Sequence, residues 1–157
     1  AFLKAFSQQA IKEPGKRLRE LDWLKVLVRF RSDIVKCSCG NEVFIKDATT
    51  TTCDGCGRPM VINHTIKLPD YSITAARGSR IYRCQLGICN ADDALDPVAL
   101  VVAKDSEPSV LGVKNMTPHI LTAITPSGKS RPVQPQEVIP FKTGIKVKAF
   151  ENEIEFQ

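Results

Sequence analysis

Aromatic residues make up only 6% of this 157-residue chain, with one tryptophan and two histidines among its side chains. Proteins that grip single-stranded nucleic acid combine a basic groove with several stacking platforms. Here the cysteine-rich stretch offers only Phe44 as a ring, with Lys46 and Arg58 as isolated charges. No apolar run approaches the ~20 residues that a helix needs to cross a bilayer, so no membrane association is expected. The opening AFLKAFSQQA has no initiator methionine and no basic segment leading into an apolar core. It is therefore not a signal peptide, and the chain is expected to be a piece of a longer one. An acidic excess is also missing. Lysine and arginine outnumber aspartate and glutamate by 22 to 17, a net charge of +5. Residues 1–35 hold eight basic and four acidic side chains, a net +4, and the remainder is close to neutral. A basic helix can touch nucleic acid, but a solvated helix face accounts for the same count.

What the chain does have is a cluster of cysteines. In KCSCGNEVFIKDATTTTCDGCGRPM, Cys37 and Cys39 form one short loop and Cys53 and Cys56 another, each closed by a glycine, Gly40 or Gly57. Two such loops place four thiolates around one tetrahedral ion, and the glycine allows the tight turn that follows each second ligand. The alternatives are disulfides or free thiols. A Cys37–Cys39 bridge would close a very small, strained ring. A redox pair at Cys53 and Cys56 needs a helix to follow, whereas Arg58, Pro59 and a strand-like run follow instead. The expectation is a zinc ribbon holding one structural zinc, since four thiolates leave no open position for water or substrate. Thiolate ligands suit a reducing compartment, which points to the cytoplasm.

The rest of the chain divides around the ribbon. Residues 2–10 and roughly 19–35 read as helices, separated by Glu13-Pro14-Gly15. On the second helix, Trp23, Leu27, Phe30 and Ile34 form one apolar stripe and Leu21, Leu24 and Val28 another, so both faces need cover and self-association is one way to supply it. From Met60 onward about nine short apolar runs separated by turn signals predict an antiparallel sandwich with no helix. Val98–Ala103, apolar on both faces, predicts a central strand. The expected organisation is α+β and mostly β: a helical segment at 1–35, the ribbon at 36–68 and the sandwich at 69–157.

Two segments also resemble known families. The stretch AFSQQAIKEPGKRLRELDWLKVLVRFRSDIVKC resembles the end of the C-terminal lobe of bacterial eukaryotic-like serine/threonine protein kinases, with Pro14, Arg17, Trp23 and Leu27 at the matching positions. The order of kinase tail, ribbon and β domain is similar to a kinase subgroup often encoded beside tellurium-resistance-type proteins. The last portion, VLGVKNMTPHILTAITPSGKSRPVQPQEVIPFKTGIKVKAFENEIEFQ, resembles the second half of a forkhead-associated (FHA) domain, with Asn115, Gly128, Gly144 and Ile145 at comparable places. The resemblance implies a kinase domain upstream and an FHA-like sandwich that docks a protein partner or kinase substrate. None of the phosphate loop, VAIK lysine, HRD loop or DFG ligand occurs here, so no catalytic residue is expected.

The FHA family reads phosphothreonine with an arginine and a Ser-x-x-His pair, and the latter has no counterpart here. Arg77, Ser79, Arg80 and Arg83 are the candidates for phosphate or partner contact. Ordinary strand alternation, which scatters them, is the competing expectation, with docking that does not depend on phosphate. His64 competes poorly with four thiolates as a ligand, and His119 reads as a surface residue at the start of a strand. Cys84 and Cys89 read as buried or free thiols, and Asp92, Asp93 and Asp96 as a solvated loop. The expected function is a non-catalytic regulatory and protein-interaction region of a kinase. The alternative is a ribbon protein that binds nucleic acid through the basic N-terminal helix.

Overall fold

The computed structural model describes residues 2–45, 50–87 and 89–157, so Lys46 and Thr49 lie outside the described residues. The first expected helix is two short ones, α1 (Phe2–Ala5) and α2 (Gln8–Lys12). Ser7 separates them: its Oγ donates to Lys4 O at 3.0 Å and accepts from Ala10 N–H at 3.2 Å, capping α2. A 3₁₀ turn at Pro14–Lys16 follows. The long helix, α3 (Glu20–Ser32), stops earlier than its apolar stripe suggests. Ile34 belongs instead to a strand, β1 (Ile34–Lys36), which pairs with β2 (Glu42–Phe44). A second hairpin joins β3 (Thr50–Thr52) to β4 (Pro59–Val61). Thus Thr50–Thr52, in the threonine run between the two cysteine loops, is strand.

The remaining strands are β5 (Thr65–Lys67), β6 (Ser72–Thr74), β7 (Arg80–Tyr82), β8 (Pro97–Lys104), β9 (Glu107–Asn115), β10 (Leu121–Ile124), β11 (Ser130–Val133), β12 (Val138–Pro140), β13 (Lys146–Ala149) and β14 (Asn152–Phe156). They form two sheets, ordered β11-β10-β13-β14-β5-β6 and β12-β9-β8-β7. All the pairings are antiparallel, and β8 is internal to its sheet, as its two apolar faces predict. One buried cluster takes Ile66, Ile73, Leu121, Val147, Ile154 and Phe156 from the larger sheet and Ile81, Val98, Val101, Val113 and Ile139 from the smaller. Each fully buried side chain of this size contributes about 1.5–3 kcal/mol. The chain is therefore mostly β, with a sandwich at its C-terminal end.

Three features depart from expectation for physical reasons. β5 bonds to β14 and β6, so residues 65–67 lie with the sandwich and not with the ribbon placed at 36–68. β6 carries a single apolar residue, Ile73, between Ser72 and Thr74, too short a run to read as a strand by itself. Within the expected run SRIYRCQL, a 3₁₀ turn occupies Arg83–Leu86, because Gln85 Oε1 accepts from Tyr82 N–H at 2.9 Å and ends the extended backbone.

Of the two stripes on α3, the sandwich covers one. Val28 packs with Cys84 and Ala94, flanked by Leu21 and Leu24. Gln85 Nε2 donates to Ser32 Oγ and to Tyr71 Oη, both at 3.1 Å, and the Arg29 guanidinium lies 4.7 Å above the Tyr71 ring. On the other stripe Trp23 meets Phe2 edge-on and Phe30 stacks on Phe44 at 5.1 Å. Leu27 and Phe30 nevertheless stay 58% and 53% exposed.

Candidate metal centre

Each cysteine pair sits at the tip of a hairpin. Between β1 and β2, Cys37 N–H donates to Asn41 O and Gly40 N–H returns to Cys37 O. Between β3 and β4, Cys53 N–H donates to Arg58 O and Gly57 N–H to Cys53 O. Both turns use left-handed backbone, with φ of 94° at Gly40 and 69° at Gly57, so glycine after the second cysteine avoids the strain that a side chain would bring there. Arg58 Nη1 reaches across to Ser38 Oγ at 3.0 Å and links the two tips.

The four sulfurs all lie within 4.8 Å of one another. Cys37 and Cys56 are 3.8 Å apart and Cys39 and Cys53 are 3.6 Å apart. A disulfide needs about 2.05 Å, which removes that alternative. Tetrahedral metal–sulfur bonds of about 2.3 Å put ligand sulfurs about 3.8 Å apart, so the donor set fits a zinc-sized ion. Cys37 and Cys53 are buried with Val43 against Met60, whereas Cys39 and Cys56 face outward.

The turn backbone favours the anion at the two buried sulfurs, Cys37 and Cys53. A hydrogen bond from the Cys39 amide brings the Cys37 thiol down to about 6. Burial pushes Cys53 up, but amides of Cys56 and Gly55 outweigh it and the net direction is down. At Cys56 the Arg58 amide pulls down, yet burial and the neighbouring thiols drive it up to about 11. Four thiolates this close repel one another, and a dication relieves the repulsion. Asn41 Nδ2, which donates to Cys53 Sγ at 3.7 Å, supplies an outer contact that the cysteine spacing alone did not single out. Its place directly after Gly40 is the signal that could have found it.

No family model matches this chain, and neither a curated protein nor a solved structure matches it.

The other candidates are spread over the fold. Arg77, Ser79 and Arg80 line one cleft of about 310 Å³ between the end of α3, β1 and the β6–β7 turn. Ser79 Oγ accepts from Ala76 N–H at 3.1 Å, and Arg77 lies 3.8 Å from Asp105. Arg83 points elsewhere, pairing with Asp93 at 3.1 Å and lying 5.0 Å from the Phe150 ring. That acidic loop is closed by its own bonds, with Asn90 Oδ1 accepting from the amides of Asp92 and Asp93. His64 precedes β5 and packs on Phe141 at 4.9 Å, outside the sulfur cluster. His119 is exposed and also precedes its strand, β10. Cys84 is buried, and burial pushes its thiol up to about 11, which keeps it protonated near neutrality. Arg17 caps the end of α2, donating to Ala10 O at 3.0 Å and Ile11 O at 3.1 Å.

Proposed function

We propose that this chain is the non-catalytic regulatory and protein-interaction region of a bacterial serine/threonine protein kinase, with a structural zinc ribbon coupling the last helix of a kinase lobe to an FHA-like docking sandwich. The observation that carries the reading is the continuity of the joint. Helix α3 runs into β1 with only Asp33 between them, β1 leads directly into the first cysteine loop, and the same helix is pinned to the sandwich through Val28 and Ser32. Zinc binding supplies folding free energy of order 10 kcal/mol, so two short hairpins can make a stiff connector without a large core of their own.

The order of elements after β9 supports the FHA-like part. The strand ends on Asn115, whose turn leads to the paired β10 and β11, and Gly144 introduces β13 before the closing strand. The competing use of the basic helix for nucleic acid is weakened by contacts that occupy two of its cations, Arg29 over Tyr71 and Arg31 with Glu42 at 3.0 Å. Sequencing the gene upstream of the codon for Ala1 tests the proposal. An open reading frame carrying the glycine-rich loop, VAIK, HRD and DFG motifs is the expected result, and their absence sinks the kinase assignment.

A further inference from the structure

Arg77 and Arg80 share their cleft with Arg31 and Lys36, and Glu42 is the one carboxylate among its lining residues. Lining charges therefore sum to +3, drawn from the consecutive elements α3, β1 and β2 and from the β6–β7 turn with the start of β7, more than 30 residues further along. The cleft also runs along unpaired strand edges. All three residues of β1 border it, as do Ile73 of β6 and Arg80 and Tyr82 of β7, and each of these strands is paired on one side only. In the β1–β2 ladder Asp33 and Cys37 bond across to Ile45 and Asn41. Alternation then turns the backbone groups of Ile34 and Lys36 away from β2, on the side that borders the cleft, where Arg31 Nη1 donates to the Ile34 carbonyl at 3.4 Å, a long contact that an incoming strand would replace.

We infer that this cleft takes an extended, carboxylate-rich peptide, which adds as a strand to the free edge of β1 and places its acidic side chains against Lys36, Arg77 and Arg80. Main-chain pairing supplies binding that tolerates sequence variation, and guanidinium forks select carboxylates. The Arg31–Glu42 pair already places a carboxylate within this set, so Glu42 occupies a contact that a ligand carboxylate would otherwise take. The inference rests on the docking reading above only in taking the chain to act by binding a protein. It does not need an upstream kinase domain.

The test uses the full chain and a fluorescein-labelled peptide of alternating Glu and Val, about ten residues long, followed by anisotropy at low salt. A three-residue edge with a few charge contacts should give a Kd on the order of tens of micromolar. Lys36→Glu with Arg80→Glu should weaken binding at least about tenfold, the milder Lys36→Gln with Arg80→Gln should weaken it less, and metal content and urea midpoint should be unchanged in the Gln pair. Glu42→Gln should tighten binding by about threefold, because it frees Arg31, a gain that damage to the fold would not produce. N-methylation of alternate peptide bonds should abolish binding. Any of four results overturns the inference: no binding at low salt, binding that survives N-methylation, a strict requirement for phosphothreonine in place of glutamate, or an oligothymidylate that displaces the peptide at lower concentration.

Discussion

Asn115, at the end of β9, offers the sharpest test of how the sandwich is held. Its side chain is 2% exposed and makes more polar contacts than any strand residue could satisfy by pairing alone. Nδ2 donates to His119 O at 2.8 Å, Val133 O at 3.1 Å and Gln134 O at 3.2 Å, while Oδ1 accepts from the amide of Thr117 at 2.9 Å and its hydroxyl at 2.8 Å. The amide has two hydrogens for three carbonyls, so one is shared. Its backbone meanwhile exchanges bonds with Glu137 and Gln136. One residue thus ties the strand ends of the smaller sheet to β10 and β11 of the larger. Asn115→Ala removes about four effective bonds at a net of roughly 1 kcal/mol each and strands their buried partners, for a loss of about 3–5 kcal/mol. Set against a typical total of 5–15 kcal/mol, that lowers the melting temperature by roughly 10 °C. Urea unfolding followed by tryptophan fluorescence and far-ultraviolet dichroism measures it. Thr117→Val, which keeps the amide contact but loses the hydroxyl, should cost about a third as much, and the double variant should cost less than the sum. A loss below about 1 kcal/mol for Asn115→Ala would show that the carbonyls find other partners and that the network is incidental.

Binding of zinc by the four cysteines should release protons at neutral pH, since Cys37 lies at about 6 but Cys56 is held up to about 11. Affinity should fall as the pH falls, and titration in buffers of different ionisation enthalpy detects the release; a zinc uptake without proton release refutes the thiolate assignment. Cys39→Ser should lower stoichiometric metal content and increase amide exchange over the hairpins while the exchange-protected core of the sandwich persists. Cys84, raised by burial from 9.0 to about 11, keeps its proton in the fold after the unfolded chain has lost it. Its contribution is therefore complete below pH 9 and is lost between 9 and 11, so Cys84→Ala should show a shallower decline of the urea midpoint across that interval than the parent chain. The exposed stripe of Leu27 and Phe30, beside an apolar groove of about 570 Å³ lined by Trp23, Leu24, Tyr82 and Leu95, should drive self-association. Light scattering should give a mass that rises with concentration and returns to the monomer in Leu27→Glu, and a monomer at every concentration counts against it.

The metal centre was legible because everything that defines it is local: two cysteines, a glycine and the hairpin they close fit within a few residues. The apolar alternation at Val98–Ala103 was legible for the same reason, since a central strand carries its environment on both faces. What could not be read depends on partners far along the chain. Ile34 looked helical by spacing, but pairing with Phe44 across the ribbon outweighs that pattern. Thr65–Lys67 looked like the last arm of the ribbon because nothing local names Phe156 as the neighbour of Ile66. Asn115 drew notice through a resemblance, while its bonds to Val133 and Gln134 arise from the return of β11, which residue types alone do not encode.

The pairing of β5 with β14 also sets an order of events during synthesis. Thr65 and Gln157 exchange backbone bonds at 2.9 and 2.8 Å, so the first strand of the sandwich rests against a partner 92 residues further along the chain. The cysteine hairpins need only neighbours within about 20 residues and can bring their four sulfurs together while the chain is still growing. β5 and β6, by contrast, must wait in the nascent chain with an open edge until β14 emerges. A ribosome stalled before β14 would therefore hold formed cysteine hairpins beside an unfinished sheet, and deletion of Asn152–Phe156 should harm solubility far more than the number of residues suggests.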